Sequence, residues 1–430
     1  MHEGENEIVV SVWDPTDTGE QPRGKQVLQP GGIFYTPITG IWQTVWLEPV
    51  PLTRISHLQL CPDLDASLLR LKIKIAGERG DQCSLTGKAY IDGAQIACAA
   101  GDAESELTIS IPRDKLRPWS PDDPFLYDLH LILRSGEQIE DRVESYFGMR
   151  KLTLQRDSGG RPRLMLNDKE LFQLGPLDQG YWPDGLYTAP TDEALRFDIE
   201  TIKKLGFNMC RKHVKIEPAR WYYWCDKLGV LVWQDMPNGA AKSPAGKLQF
   251  EQELQRLVIN LQNHPSLVMW VVFNEGWGQH ETSRYVKAVQ SWDPSGRWIN
   301  NASGWSDAGE GDVIDIHDYP GPPKTLPPSE KRAIVLGEFG GLGLPVPNHL
   351  WQQEKNWGYR ELQNPRQFAE NYLALLHQLR PLRDAGLCAA VYTQLTDVEG
   401  EVNGLMTYDR DVLKLDADQA SKTATSVIAQ

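Results

Sequence analysis

Two periodicities divide this chain. Between residues 51 and 150, apolar and polar side chains alternate in short segments: ISHLQLCP, SLLRLKIKIAG, CSLTGKAYI, ELTISIP and LYDLHLIL. A period of two puts every second side chain on one face, which is the mark of a half-buried strand. The turn cluster RPWSPDDP separates two of these segments. Strands at this spacing predict a β-sandwich over 51–150. Upstream, EIVVSVWD and GIWQTVWLEPVP alternate in the same way and predict strands within 1–50.

Near residue 150 the alternation gives way to continuous apolar runs separated by amphipathic helices. The runs are LFQLGP, FNMCRKH, VLVWQD, SLVMWVVFNE, RWINNAS, VIDIHDYP, AIVLGEFG and CAAVYTQLTD. Strands buried on both faces lose the alternation, because neither side meets water. TDEALRFDIETIKKLG carries helix signals: Thr191 as N-cap, Asp192 and Glu193 in the first turn, and Gly206 as the stop. EPARWYYWCDKLG and PRQFAENYLALLHQLRPLRDAG predict two more helices. Eight runs over 151–430 predict a (β/α)₈ barrel. The link from RWINNAS to VIDIHDYP is too short for a full helix, so the fifth helix is expected to be degraded.

In such a barrel the C-terminal ends of the strands line the active site. Here they supply Asp178, Arg211 and His213, Asp235, Asn274 and Glu275, Asn300 and Asn301, His317, Asp318 and Tyr319, Glu338, then Thr393, Gln394 and Asp397. Seven apolar residues run directly into Asn274 and Glu275, and Glu338 stands among Gly337, Gly340 and Gly341. A carboxylate at the mouth of an apolar strand is costly to desolvate and needs a cationic partner, for which Arg211 is suited. The glycines are expected to let a substrate approach the backbone. Two carboxylates across a cleft are what glycosidic cleavage requires: one protonates the leaving oxygen, the other attacks the anomeric carbon or activates water. His213 and His317 with Asp235 and Asp318 lack metal-ligand spacing, so hydrogen bonds to sugar hydroxyls are the expected role and no metal is assigned.

Composition narrows the setting. A net charge of −14 argues against a nucleic-acid partner, which demands a basic face. No apolar stretch reaches the roughly 18 residues of a membrane span. The six cysteines form no CxxC pair and are expected to be buried thiols, a Cys83–Cys98 bridge being the alternative. Of the fifteen tryptophans, Trp305 lies in a glycine-flanked loop and is expected to stack on substrate.

These motifs resemble glycoside hydrolase family two, the β-galactosidase, β-glucuronidase and β-mannosidase family. GIWQTVWLEPVP resembles the end of its jelly-roll sugar-binding domain; FNMCRKH, GVLVWQDMP, WVVFNEGWG, IHDYP and GEFGG resemble its barrel signatures in order. The resemblance implies that Glu275 is the acid/base and Glu338 the nucleophile of a retaining double displacement. It also implies that Asn274 binds the sugar 2-hydroxyl, that Tyr319 hydrogen-bonds the nucleophile, and that Arg211 lies near it. The carboxyl groups should then lie about 5–5.5 Å apart, with Glu275 protonated while Glu338 is ionised. No cofactor is required, although some β-galactosidases use magnesium. The resemblance further implies that the sandwich over 51–150 is immunoglobulin-like and that residues 1–50 are a C-terminal remnant of the jelly roll, so the chain is expected to be an N-terminal truncation or a fragmentary gene model, with which a signal peptide could have been lost.

Glu401 and Asn403 stand where glucuronidases carry an Asn–X–Lys pattern. A carboxylate there would repel a uronate, so an exo-acting enzyme for a neutral sugar, galactoside first, is the expectation. β-Mannosidase or another β-glycosidase is the rival within enzymes, and a non-catalytic sugar-binding protein or inactive fragment is the rival outside them.

Overall fold

The computed structural model describes residues 3–77 and 83–429. The sandwich is built from β1 (Arg54–Asp63), β2 (Leu68–Ala76), β3 (Cys83–Ile91), β4 (Ala94–Asp102), β5 (Leu107–Ser110), β6 (Tyr127–Ser135) and β7 (Gln138–Phe147). One sheet has the order β1-β2-β5 and the other β4-β3-β6-β7. The inward side chains of the alternating segments, among them Leu69, Leu71, Leu85, Leu129, Leu131 and Leu133, form one core between them. The alternation signal does not reach β4, which is small-residue-rich and mostly exposed, or β7, whose outer face is charged. Cys98 pairs with Lys88 on β3 while Cys83 lies opposite Ser135 on β6, so the register keeps the two thiols apart and no bridge forms.

A three-stranded antiparallel sheet of β8 (Leu152–Arg156), β9 (Pro162–Leu166) and β10 (Lys169–Glu170) follows. The barrel strands are β11 (Gln173–Asp178), β12 (Met209–Lys212), β13 (Leu231–Asp235), β14 (Leu267–Val271), β15 (Trp298–Asn300), β16 (Val313–Asp318) and β17 (Ala333–Gly340). After a two-residue pair, β18 (Leu342–Gly343) and β19 (Arg360–Glu361), comes the eighth barrel strand, β20 (Leu387–Thr393). All eight anticipated runs are strands, and every pairing in the sheet β15-β14-β13-β12-β11-β20-β17-β16 is parallel. Inside the barrel, Met209, Leu231, Trp233, Met269, Val335, Ala389 and Val391 form one core with Leu152, Leu164 and Leu166 of the small antiparallel sheet. That sheet plugs the barrel's N-terminal end and leaves the opposite end for a pocket.

Outside the strands, α1 (Asp192–Lys204), α2 (Ala219–Leu228), α3 (Pro244–Leu261), α4 (Thr282–Trp292), α5 (Pro365–Ala385) and α6 (Ala417–Ile428) bury their apolar faces in a second, larger core. The Thr191 hydroxyl accepts from the backbone N–H of Ala194, as its N-cap signal predicts. The fifth helix is absent, as expected. The connection from β16 to β17 also has no helix, because Pro320, Pro322, Pro323, Pro327 and Pro328 exclude one. No ladder joins β15 to β16; instead Asp315 on β16 accepts from Asn300 Nδ2 and Ser303 Oγ, both at 2.6 Å, and closes the seam. The sandwich docks on the barrel through Tyr146, whose hydroxyl donates to Asp226 (2.8 Å), and Arg150, which donates to the carbonyls of Pro265 and Leu267.

Residues 7–14 and 40–51 form no strands, contrary to their alternation. A strand needs a neighbour for its backbone groups, and among the described residues none pairs with these segments. Ile8, Val9, Trp13, Val45, Trp46 and Leu47 are exposed. Between them, residues 23–36 fold as a tongue onto the barrel mouth. No helix among the described residues is long and apolar enough to cross a membrane.

Candidate active site

β14 and β17 lie on either side of the seam, with β15 and β16 between them. The chain leaves β14 through Asn274 and Glu275, and the Glu275 backbone has φ +51°, left-handed for a residue with a side chain. Such a conformation costs about 1–3 kcal/mol and persists only where surrounding structure enforces it. Here the Glu275 N–H donates to the Ser303 carbonyl at 2.8 Å. Irregularities in the β16–β17 and β17–β20 ladders fall beside His317 and Glu338. A bulge re-aims the side chains next to it.

Glu338 is held from two sides. Arg211 Nη1 donates to its Oε1 at 3.1 Å and the Tyr319 hydroxyl to its Oε2 at 2.6 Å. Burial alone would raise its pKa, but His317, Arg211, His213 and the Tyr319 hydrogen bond overcome that and hold it at about 2. Arg211, wholly buried, spends every N–H it has: on Asp235, Glu338, the Gly337 carbonyl and Asn274. Because Asn274 Oδ1 accepts from Arg211 (2.8 Å), its Nδ2 is left buried with no partner among the described residues, a donor awaiting an acceptor.

His317 joins the two acids. Its Nδ1 is 2.7 Å from Glu275 Oε1 and 3.5 Å from Glu338 Oε2, and its Nε2 is 2.7 Å from Ser303 Oγ. Burial works against its charge, yet Glu338, Glu275 and Asp315 raise its pKa. His213 has the opposite fate. Burial, Lys25 and Arg211 push its pKa well down, and its Nδ1 lies 2.9 Å from Asp235 Oδ2. One ligand atom from each of Glu275, His317 and Glu338 lies within 4.8 Å of the others. A divalent ion could span that triad geometrically, but Arg211 already supplies positive charge to it, and the residues fit an acid/base pair better than a metal centre.

The pocket is lined by Lys25, Ile33, Gln179, His213, Asn274, Glu275, Trp277, Tyr319, Glu338, Tyr359, Thr393 and Glu401, with Leu177 beneath. Six anticipated residues therefore line it: His213, Asn274, Glu275, Tyr319, Glu338 and Thr393. Arg211 and His317 back it. Trp305 is 68% exposed at the rim, edge-on to His317 with ring centroids 5.6 Å apart.

Five expectations are corrected. Asp178 does not line the pocket; its carboxylate is spent on Lys212 (2.6 Å) and the Gly180 N–H. Asp235 lies behind it and orients Arg211 and His213. The glycines beside Glu338 do not open space for substrate: a Cβ would strike Asp315 at Gly337, Tyr392 at Gly340 and Tyr359 at Gly341. Asn301 binds Asp307 and the Glu310 carbonyl, and Asp397 binds Lys414, both away from the pocket.

Sequence reading missed Lys25, Ile33, Gln179, Trp277 and Tyr359. Trp277, two residues after Glu275, was the one within reach of a motif. Tyr359 stacks on Tyr319 with centroids 3.8 Å apart, a contact between distant segments that no local pattern announces.

The family model described as "Glycosyl hydrolases family 2" matches residues 53–150, and that of its TIM barrel domain matches residues 188–316. The chain belongs to glycosyl hydrolases family 2. A β-galactosidase from Lactococcus lactis subsp. lactis is 28% identical over 263 residues, covering 58% of this chain and 25% of the relative. The chain thus spans about a quarter of the length of that relative. Among solved structures, the GH2 β-galacturonidase of Eisenbergiella tayi bound to galacturonate superposes with a TM-score of 0.69 at 19% identity, covering 88% of this chain and 73% of that one. The β-glucuronidase of Ruminococcus gnavus gives 0.68 at 15%, covering 88% and 68%. At these identities the structural likeness establishes the shared fold, a barrel preceded by a sandwich.

Proposed function

We propose that this chain carries the active site of a retaining exo-β-glycosidase acting on a neutral sugar, galactoside first. The observation that carries the reading is the closeness of Glu275 and Glu338, with carboxylate oxygens within 4.8 Å across one pocket. That separation fits direct attack on the anomeric carbon, since an inverting pair leaves roughly 6.5–9.5 Å for water. Glu338, ionised above pH about 2, is the nucleophile. It bonds to the anomeric carbon as the glycosidic C–O bond breaks and Glu275 gives its proton to the departing oxygen. Glu275 then takes a proton from water, the water oxygen bonds to the anomeric carbon, and Glu338 leaves. Asn274 Nδ2 is suited to the 2-hydroxyl, and Tyr319 and Arg211 hold the nucleophile's charge. Trp305 offers an apolar rim beside the acid/base.

The Lactococcus relative's name supports a galactoside, while the two solved neighbours act on uronides. Glu401 on the pocket wall favours the neutral sugar. The test is product configuration by NMR on a panel of nitrophenyl β-galactoside, β-mannoside, β-glucoside, β-glucuronide and β-galacturonide. Retention on the galactoside is expected. An inverted product, or hydrolysis undiminished in Glu338→Gln, would overturn the reading.

A further inference from the structure

The tongue of residues 23–36 enters the mouth of the barrel without being part of its sheet. Its ends are pinned by backbone hydrogen bonds: Arg23 and Gly24 donate to the Asn238 carbonyl at 2.9 and 3.1 Å, and Tyr35 donates to the Lys25 carbonyl at 2.9 Å. At Gly24, with φ +64°, a Cβ would meet the Val214 carbonyl at 2.5 Å, so only glycine lets the tongue pass this close to the barrel rim. The Tyr35 hydroxyl donates to Glu401 Oε2 and accepts from Gln179 Nε2 at 2.7 Å. The Thr36 N–H donates to Glu399 at 2.7 Å. The tongue is thus tied to the loop after β20 on one side and to the loop after β13 on the other.

What the tongue delivers is Lys25. It is 7% exposed and lines the pocket, yet its ammonium makes no hydrogen bond or ion pair among the described residues. Its nearest aromatic neighbours, the rings of Tyr35 and Trp277, are both 5.7 Å from Nζ. A buried ammonium with no acceptor in the protein must find its acceptors in whatever fills the pocket. Across the same cavity stands Glu401, whose Oε1 accepts from Asn403 (2.9 Å) and whose Oε2 accepts from Tyr35. A carboxylate has about four lone-pair sites, so Glu401 can still accept two hydroxyl protons.

We propose that Lys25 is a specificity-determining residue that, with Glu401, reads the hydroxyl groups of the sugar at the non-reducing end. Lys25 donates to their oxygens and Glu401 accepts their protons. The inference rests on the glycosidase reading above. A donor and an acceptor of opposite charge, held apart in one pocket, suit a neutral polyhydroxylated ring better than an anionic one, which would satisfy Lys25 and be repelled by Glu401.

The test uses Lys25→Met, which keeps the apolar stem, and Glu401→Gln, with 4-nitrophenyl β-galactoside, its single deoxy analogues and the β-galacturonide. A thermal melt for each variant checks that it is folded. Lys25→Met should raise KM on the galactoside by about ten- to a hundred-fold with a smaller change in kcat, the scale of lost charge-assisted hydrogen bonds. One deoxy analogue, lacking the hydroxyl that Lys25 binds, should be cleaved almost equally by wild type and Lys25→Met. In a Glu338→Gln background, Lys25→Met should weaken galactose binding measured by calorimetry to the same extent. Equal losses on every deoxy analogue would make Lys25 a packing residue and overturn the inference. So would a wild-type preference for the galacturonide that Lys25→Met alone abolishes, which would make the ligand a carboxylate. Turnover indifferent to Lys25 sinks only this inference, whereas a wild type that neither cleaves nor binds any of these sugars sinks the glycosidase reading itself.

Discussion

The pocket has two walls of different construction. The barrel wall carries Arg211, Asn274, Glu275 and Glu338 on or just beyond strands whose other faces are packed in two cores. Its charged groups partner one another: Arg211 has no donor to spare, and Glu338 holds a guanidinium and a phenol. The tongue wall carries Lys25 and Ile33 on a segment with only isolated bridges, and its ammonium is left without a hydrogen-bond acceptor among the described residues. A group whose charge must be fixed before substrate arrives gains from a rigid, fully bonded setting. A group that distinguishes one sugar from another gains from leaving its hydrogen bonds for the ligand. Reaction chemistry and selectivity are therefore expected to separate along the two walls.

The comparison breaks most readily at Glu338. Glu338→Ala should cut kcat/KM on nitrophenyl galactoside by about 10⁴-fold or more, the scale for loss of a reacting group. Glu275→Ala should lose less on that substrate than on an alkyl galactoside, because nitrophenolate leaves without a proton. Equal losses on both substrates would contradict the acid role. Arg211→Met should then destabilise the fold by about 3–5 kcal/mol in urea titration, since it strands Asp235 and Glu338 as buried charges. On the tongue wall, Tyr35→Phe should cost only about 1–3 kcal/mol, by removing one hydrogen bond to buried Glu401. If Tyr35→Phe proves the more damaging of the two, the tongue is structural rather than a selectivity device.

The smallest effect concerns pH. The Glu338 pKa lies below its ordinary value of 4.5, so its ionised form stabilises the fold above that pH, and this contribution fades as pH falls towards about 2. The stability gap between wild type and Glu338→Gln should accordingly narrow over that range, as followed by tryptophan fluorescence. His317 titrates the other way. Its raised pKa gives stability at pH below its ordinary 6.5 that is lost as pH rises through the raised value. His317→Asn should remove that alkaline component.

The strands of the barrel and six pocket residues were legible because each rests on a short-range pattern: an apolar run, then a polar group at its end. WVVFNE and AIVLGE state both the strand and the carboxylate it presents. The same kind of pattern misled at 7–14 and 40–51, where alternation describes a face but cannot supply the neighbour a strand must bond to. Asp178 was misjudged for a related reason. Its place at a strand end is local, but its pairing with Lys212 on the next strand is not.

Where strands and helices fall in the barrel, and which two glutamates stand at its mouth, follows from the order of residues alone, because periodicity and capping act within a few residues. How charge is shared there emerges only once the chain is folded: Arg211 serves three side chains at once, His317 spans both acids, and Lys25, 250 residues before Glu275, enters the same pocket. Burial and pairing of charge depend on what lies within a few ångströms in space, and chain separation places no limit on that.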